Sequence, residues 1–305
     1  MNGLARRGGS DAGARAGVLR AACLQMNTRD DLAENLHSAV RLVEAAAAEG
    51  AQLVALPETW AFKGGGEGIR ASAEPVVGAS NGALARLAAR LGVWLLAGSL
   101  YEQPATGDRG SAAGERVFNS SALFGPDGAL RAVYRKIHLF DTVAGGTAYR
   151  ESGDVRPGDR LVTAEVPVGP AAPGDPASHA TLGLTICYDL RFPELYRSLA
   201  LLGADVLCVP SAFTATTGAA HWHALLRARA IENGCFVLAP NQVGEHLPGR
   251  ACYGHSLIVD PWGAVIAEVD EGVGICVADL DLARVAEVRA QLPALQNRRP
   301  DAYRL

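Results

Sequence analysis

Hydrophobic positions along this chain recur with two different periods. Continuous or alternating apolar runs of strand length occur at 17–25, 52–57, 93–100, 117–124, 129–135, 181–187, 205–210, 235–240, 255–260, 264–269 and 274–280. Between them lie segments whose apolar residues fall three and four positions apart, at 31–48, 80–91, 193–202, 219–233 and 281–291, which predict helices. Regular alternation of strand and helix predicts an α/β protein with substantial parallel pairing. Two tight turns, Gly125-Pro126-Asp127-Gly128 and Asp260-Pro261-Trp262-Gly263, interrupt it. In each, proline presets φ and glycine supplies the positive φ that closes a hairpin.

The pattern also repeats. GAQLVALPE (50–58) reads against GADVLCVPS (203–211), and SALFGPDGAL against SLIVDPWGAV, in the same order of strand, turn and helix. Two similar α/β halves, each with one sheet, can bury those sheets face to face and cover the outside with helices. The predicted fold is therefore a four-layer αββα sandwich, internally duplicated, over residues 17–305. Residues 1–16, rich in Gly, Ala and Arg and without the apolar stretch of a signal peptide, read as a disordered N-terminal tail.

Composition narrows the class. Of 305 residues, 49% are hydrophobic and 20% charged, enough apolar matter for a large core. A formal charge of -4 leaves no basic footprint for nucleic acid or an anionic membrane surface. No uncharged apolar run approaches the ~20 residues of a membrane span. Six scattered cysteines without a CxxC pair fit a reducing, cytoplasmic compartment. Cys23, Cys208, Cys235, Cys252 and Cys276 lie in or beside apolar runs and read as small buried hydrophobes.

Cys187 differs. It closes the strand-like run TLGLTIC, and Pro193 then opens a helix, so the thiol stands at a strand-to-helix elbow, where α/β folds collect reactive groups. Two further strand ends offer partners: Glu58 after QLVALP and Lys136 after ALRAVYR. Glutamate, lysine and cysteine at separate strand ends make a set of acid-base group, cation and nucleophile.

LPETW, YRKIHLFD and GLTICYDLRFPELYR resemble the three catalytic blocks of the nitrilase, or carbon-nitrogen hydrolase, superfamily, in the family's order and within a match spanning 17–305. The resemblance implies the αββα sandwich reached above from the repeat. It also implies a second glutamate between lysine and cysteine, best matched by Glu151 in YRESGDVRPGD. On this reading Glu58 is general base and acid, and Cys187 attacks an amide carbonyl. Lys136 and the Tyr188 N–H hold the oxyanion, and Glu58 or Glu151 activates the water that cleaves the thioester. Neither metal nor organic cofactor is implied. A noncatalytic binding protein on this fold would be expected to lack one of Glu58, Lys136 and Cys187, all of which are here.

The C-terminal half, with HWHALLRARAIEN, YGHSLIVDPWG and QNRRPDAY, is similar to the branch containing deaminated glutathione amidases and ω-amidases, and closer to the former. The implied substrate is a small carboxylated amide, with nitriles and carbamoyl amino acids as weaker alternatives. Tyr188, Arg191, Phe213, Thr214 and Thr217 are its expected contacts, and Arg227, Arg229 and Arg250 further candidates for its carboxylate. The branch also implies a homodimer or higher homo-oligomer, paired through the helix near Phe192–Ala200 and the one ending near Asn233. His221-Trp222-His223 is not expected to bind metal, because i, i+2 spacing puts the imidazoles on different sides of a helix. The glycines at 64–68 lack a P-loop's lysine and read as a mobile loop beside Glu58. Gly254-His255-Ser256 lacks the second glycine of a serine-hydrolase elbow.

Overall fold

The computed structural model describes residues 17–105, 116–169 and 179–303. The tail expected over 1–16 lies outside the described residues. The first part of the chain forms β1 (Val18–Gln25), α1 (Leu32–Ala48), β2 (Leu53–Ala55), α2 (Gly66–Ala71), α3 (Ala79–Leu91), β3 (Trp94–Leu96), β4 (Leu100–Glu102), β5 (Val117–Phe124), β6 (Leu130–Arg135), β7 (Asp141–Ala144), β8 (Thr147–Arg150) and β9 (Val155–Arg156). The remainder forms β10 (Thr163–Pro167), β11 (His179–Leu184), α4 (Pro193–Leu201), β12 (Val206–Cys208), α5 (Ala215–Asn233), β13 (Phe236–Ala239), β14 (Val243–Leu247), β15 (Arg250–Tyr253), β16 (Leu257–Val259), β17 (Val265–Glu268), β18 (Gly274–Asp281) and α6 (Ala283–Gln291).

Two main sheets carry the repeat. One runs β18-β1-β2-β3-β5-β4, with β6 and β9 also on β5; the other runs β10-β11-β12-β13-β16-β17. In each, three parallel strands (β1, β2, β3 and β11, β12, β13) are flanked on one side by an antiparallel strand (β18 and β10). On the other side each ends in an antiparallel hairpin, β5–β6 or β16–β17. The matched sequences GAQLVALPE and GADVLCVPS supply β2 and β12 at equivalent places.

Alternation along β1 shows how the layers form, because successive side chains leave a strand on opposite faces. Ala21 and Cys23 join a core with Leu182, Leu184, Val206, Leu238 and Leu257 of the second sheet. Ala22 and Leu24 join a separate core with Leu42 and Val43 of α1 and Leu84 and Leu87 of α3. Outside the second sheet, α5 buries Gly218, Trp222, Leu226 and Ala230, a stripe four residues apart that faces inward. The four layers are thus α1 and α3, sheet, sheet, α4 and α5.

Local chemistry sets the helix ends. Asp31 caps α1 by accepting from the N–H groups of Ala33 and Glu34 at 3.0 and 3.1 Å. Thr214 caps α5, which begins at Ala215, ahead of the expected 219. The glycines at 64–68, read as a loop, instead lead into helix α2 at Gly66. The hairpin β7–β8 was invisible to periodicity because its side chains are exposed or half-buried throughout.

Candidate active site

Glu58, Lys136 and Cys187 each follow the end of a strand. β2 stops at Ala55 and carries the chain through Pro57 to Glu58, beside a bend at Gly98. A Cβ on Gly98 would lie 2.0 Å from the Pro57 carbonyl oxygen, so only glycine lets the two segments pass. Lys136 directly follows β6, its N–H donating to the Asn119 carbonyl at 2.9 Å. The strand expected to end at Cys187 stops earlier, at Leu184, and Cys187 opens a 3-10 turn. Its φ of +47° is unusual for a residue with a Cβ, a strain of about 1–3 kcal/mol that the surroundings must hold. The Cys187 N–H donates to the Pro210 carbonyl at 3.0 Å, in the segment that follows β12.

The three side chains meet at the floor of a cavity of about 450 Å³. Lys136 Nζ, 2% exposed, donates to Glu58 Oε1 at 2.9 Å and to Glu151 Oε2 at 2.8 Å. Asn119 Nδ2 donates to the same carboxylates, at 2.9 and 3.2 Å. The Ala212 N–H reaches Glu58 Oε2 at 2.8 Å, and the Phe140 N–H reaches Glu151 Oε2 at 2.6 Å. Gln242 Nε2 holds the Glu58 backbone carbonyl at 2.9 Å. All four expected residues, Glu151 included, are brought together.

Charge follows from this packing. Burial disfavours ionised Glu58, yet Lys136, Lys63 and the hydrogen bonds from Lys136 and Cys187 outweigh it and hold the carboxyl below its ordinary 4.5. Burial likewise disfavours charged Lys136, but Glu151 and Glu58 hold it well above its ordinary value. Burial, reinforced by the charge of Glu58, pushes the Cys187 thiol well above 9.0. The arrangement therefore presents a neutral thiol hydrogen-bonded to a carboxylate, with an ammonium alongside.

Asp189, which sequence reasoning passed over, ties two of the segments together. Its fully buried carboxylate accepts from Tyr134 Oη at 2.7 Å and from the N–H groups of His138 at 3.0 Å and Ile186 at 2.8 Å. His138 Nδ1 lies 2.7 Å from Oδ1, and its ring stacks on Phe192 at 3.6 Å. The segment bearing Lys136 is thereby fixed to the turn bearing Cys187.

Tyr188, Arg191, Phe213, Thr214 and Thr217 all line the cavity. So do Lys63, Tyr101, Asn119, Tyr149, Arg150, His246 and Arg250. Of these only Arg250 is singled out by the sequence as a candidate for the carboxylate. Asn119 alone left a trace in the sequence, a polar residue inside the fully buried run VFNSSALF. Arg227 and Arg229 are elsewhere: Arg227 donates to the Gly263 carbonyl, and buried Arg229 to the Leu190 carbonyl and Glu232.

The family model for carbon-nitrogen hydrolases matches residues 20–290. The chain belongs to the carbon-nitrogen hydrolase family. It is 44% identical over 279 residues to the deaminated glutathione amidase of Synechocystis sp., covering 91% of this chain and 97% of that one. It is 38% identical over 271 residues to omega-amidase NIT2 of Xenopus tropicalis, covering 88% of this chain and 91% of that one. The crystal structure of the C. elegans NitFhit protein superposes with a TM-score of 0.81 at 37% identity, over 94% of this chain and 66% of that one. Family membership makes the chain an amidase, a hydrolase of carbon-nitrogen bonds other than peptide bonds, on the αββα sandwich.

Replacing Lys136 by methionine leaves buried Glu58 and half-buried Glu151 without their cation, and unfolding free energy at neutral pH is expected to drop by about 3–5 kcal/mol. Without Lys136, burial raises Glu58 above the unfolded value of about 4.3, so the folded variant takes up a proton more readily than the unfolded chain. Its deficit relative to wild type should therefore shrink as pH falls from neutrality. Urea melts at neutral and mildly acidic pH measure this, and a deficit unchanged by pH contradicts the account.

Proposed function

We propose that this amidase cleaves a small carboxylated amide, deaminated glutathione in preference to 2-oxo acid amides, through a thioester on Cys187. As the Cys187 Sγ bonds to the carbonyl carbon, Glu58 takes the thiol proton. The carbonyl π electrons move to oxygen, and Lys136 with the Tyr188 N–H stabilises the oxyanion. Collapse breaks the C–N bond, and Glu58 returns its proton to the leaving amine. Water, deprotonated by Glu58 or Glu151, then adds to the thioester, and the carboxylic acid departs with return of the proton to sulfur.

The carboxylate preference rests on how charge is distributed in the cavity. Lys136 lies at the floor with Glu58 and Glu151, whereas Lys63, Arg150, Arg191 and Arg250 line the more exposed wall. A carboxylate entering there exchanges water for charge-assisted hydrogen bonds. Arg191 is oriented by its position over the Phe213 ring, at 5.0 Å, and Arg250 by Tyr149, at 5.1 Å. Identity with deaminated glutathione amidases supports the choice of amide.

A substrate panel tests the reading. Deaminated glutathione should have the highest kcat/KM, followed by 2-oxoglutaramate, with released amine and ammonia monitored separately. Activity confined to a simple nitrile and a carbamoyl amino acid overturns it. Lys63→Gln should raise KM about tenfold for carboxylated amides, the loss of one charge-assisted hydrogen bond, and leave a neutral amide unaffected. An equal effect on both removes Lys63 from carboxylate binding.

The pH profile tests the proton path. Since Glu58 titrates below 4.5 and Cys187 above 9.0, kcat/KM should stay flat from neutrality to pH 9.0 and decline only on the acid side of 4.5. Glu58→Gln should lower kcat by about 10²–10⁴. A rate that climbs through pH 9.0 would mean that a free thiolate attacks without help from Glu58.

A further inference from the structure

Further along α5 than its cavity-lining threonines, a second set of titratable side chains converges. His223 Nε2 lies 2.9 Å and His255 Nδ1 2.6 Å from the same atom, Glu268 Oε1. The three ligand atoms fall within 4.8 Å of one another, and among the described residues no other group of three His, Cys, Asp or Glu does so. The residues come from α5, from the turn before β16 and from the end of β17. None lines the catalytic cavity.

Their orientation is fixed from outside the cluster. The Tyr253 ring stacks on His255 at 4.4 Å and meets His223 edge-on at 6.1 Å. His255 has a φ of +55°, and its carbonyl accepts from Trp222 Nε1 at 2.8 Å, which ties this strained residue to α5. The side chains are 24–35% exposed, so the convergence point is reachable from solvent. Neither carboxylate nor imidazole needs such a shared focus for solubility. His221 stands apart from the cluster, 3.3 Å from Arg191, and the partners of His223 come from a hairpin distant in sequence.

We propose that His223, His255 and Glu268 bind one divalent transition-metal ion, best matched by zinc, which staples α5 to the β16–β17 hairpin. Two imidazoles and one carboxylate are a ligand set suited to zinc, with water completing a tetrahedron. Zinc holds such ligands at about 2.0–2.2 Å, which spaces them roughly 3.3 Å apart. The two contacts to Glu268 need only lengthen by about half an ångström while the imidazoles close in. The proton on each coordinating ring nitrogen moves to the other nitrogen of that ring or, from an imidazolium, to solvent. Because Thr214 caps α5 and Thr217 lies in its first turn, both lining the cavity, the staple braces one wall of that cavity.

The test uses the full chain with Cys187→Ala, so that the cavity thiol cannot capture the ion, after treatment with chelator. Calorimetric titration with Zn²⁺ should give one equivalent and a raised Tm, while Mg²⁺ should give neither. His223→Gln, His255→Asn and Glu268→Gln should each weaken binding at least tenfold and abolish the Tm shift. Asparagine suits position 255 because it tolerates positive φ. Co²⁺ loaded into the Cys187→Ala protein should show the intense visible bands of a four-coordinate nitrogen and oxygen site. Absence of zinc binding, binding unchanged by the three substitutions, or a Co²⁺ spectrum that is six-coordinate or thiolate-bound overturns the proposal.

Discussion

The ammonium of Lys136, held between the carboxylates of Glu58 and Glu151, is the interaction on which the rest of the site depends. Each of these charges would be expensive to bury alone, and together they are tolerable because every carboxylate oxygen also accepts from a fixed donor. Asn119, Ala212 and Phe140 provide those donors. The same arrangement decides protonation. Lys136 keeps Glu58 ionised, and ionised Glu58 in a buried site keeps Cys187 as a thiol, so in the proposed mechanism a carboxylate stands beside the thiol proton that attack on an amide releases.

The fold supplies such a cluster by doubling a half. Glu58 follows β2, and the equivalent strand of the other half, β12, leads to Ser211 and Ala212. The Ala212 N–H grips Glu58 Oε2 across a separation of 154 residues. Gln242, following β13, holds the Glu58 carbonyl. The candidate site therefore sits on the seam where the carboxyl ends of strands from both sheets meet, and a rigid shared core beneath it sets the positions of all its charges. Asp189 extends this by locking the Lys136 segment to the Cys187 turn.

Much of this was legible in the residues, for reasons that differ between fold and site. Strand and helix periods reveal layers because burial is one-sided, and the paired GA…P segments reveal the duplication because strand ends and turns must match in both halves. Glu58, Lys136 and Cys187 stand out because each follows a strand-like run in a distinctive local motif, whereas Glu151 is reached only through the family resemblance. Asn119, Ala212, Asp189 and Gln242 could not be, since their roles depend on partners brought near only by the fold; a backbone N–H has no side-chain signature at all. The hairpin β7–β8 has too little apolar contrast to register. Lys63 and Arg150 acquire meaning only when the cavity wall is assembled around them.

In the proposed mechanism Cys187 is acylated with the aid of its buried charged neighbours, and intact mass measurement during turnover reads that acyl group on the protein itself. Samples quenched in acid while an amide substrate is being consumed should contain chains heavier by the acyl group less one hydrogen. Peptide mapping should place the added mass on Cys187, and neutral hydroxylamine should remove it, as expected for a thioester. Added mass on a different residue, or continued turnover by Cys187→Ala, would contradict the account.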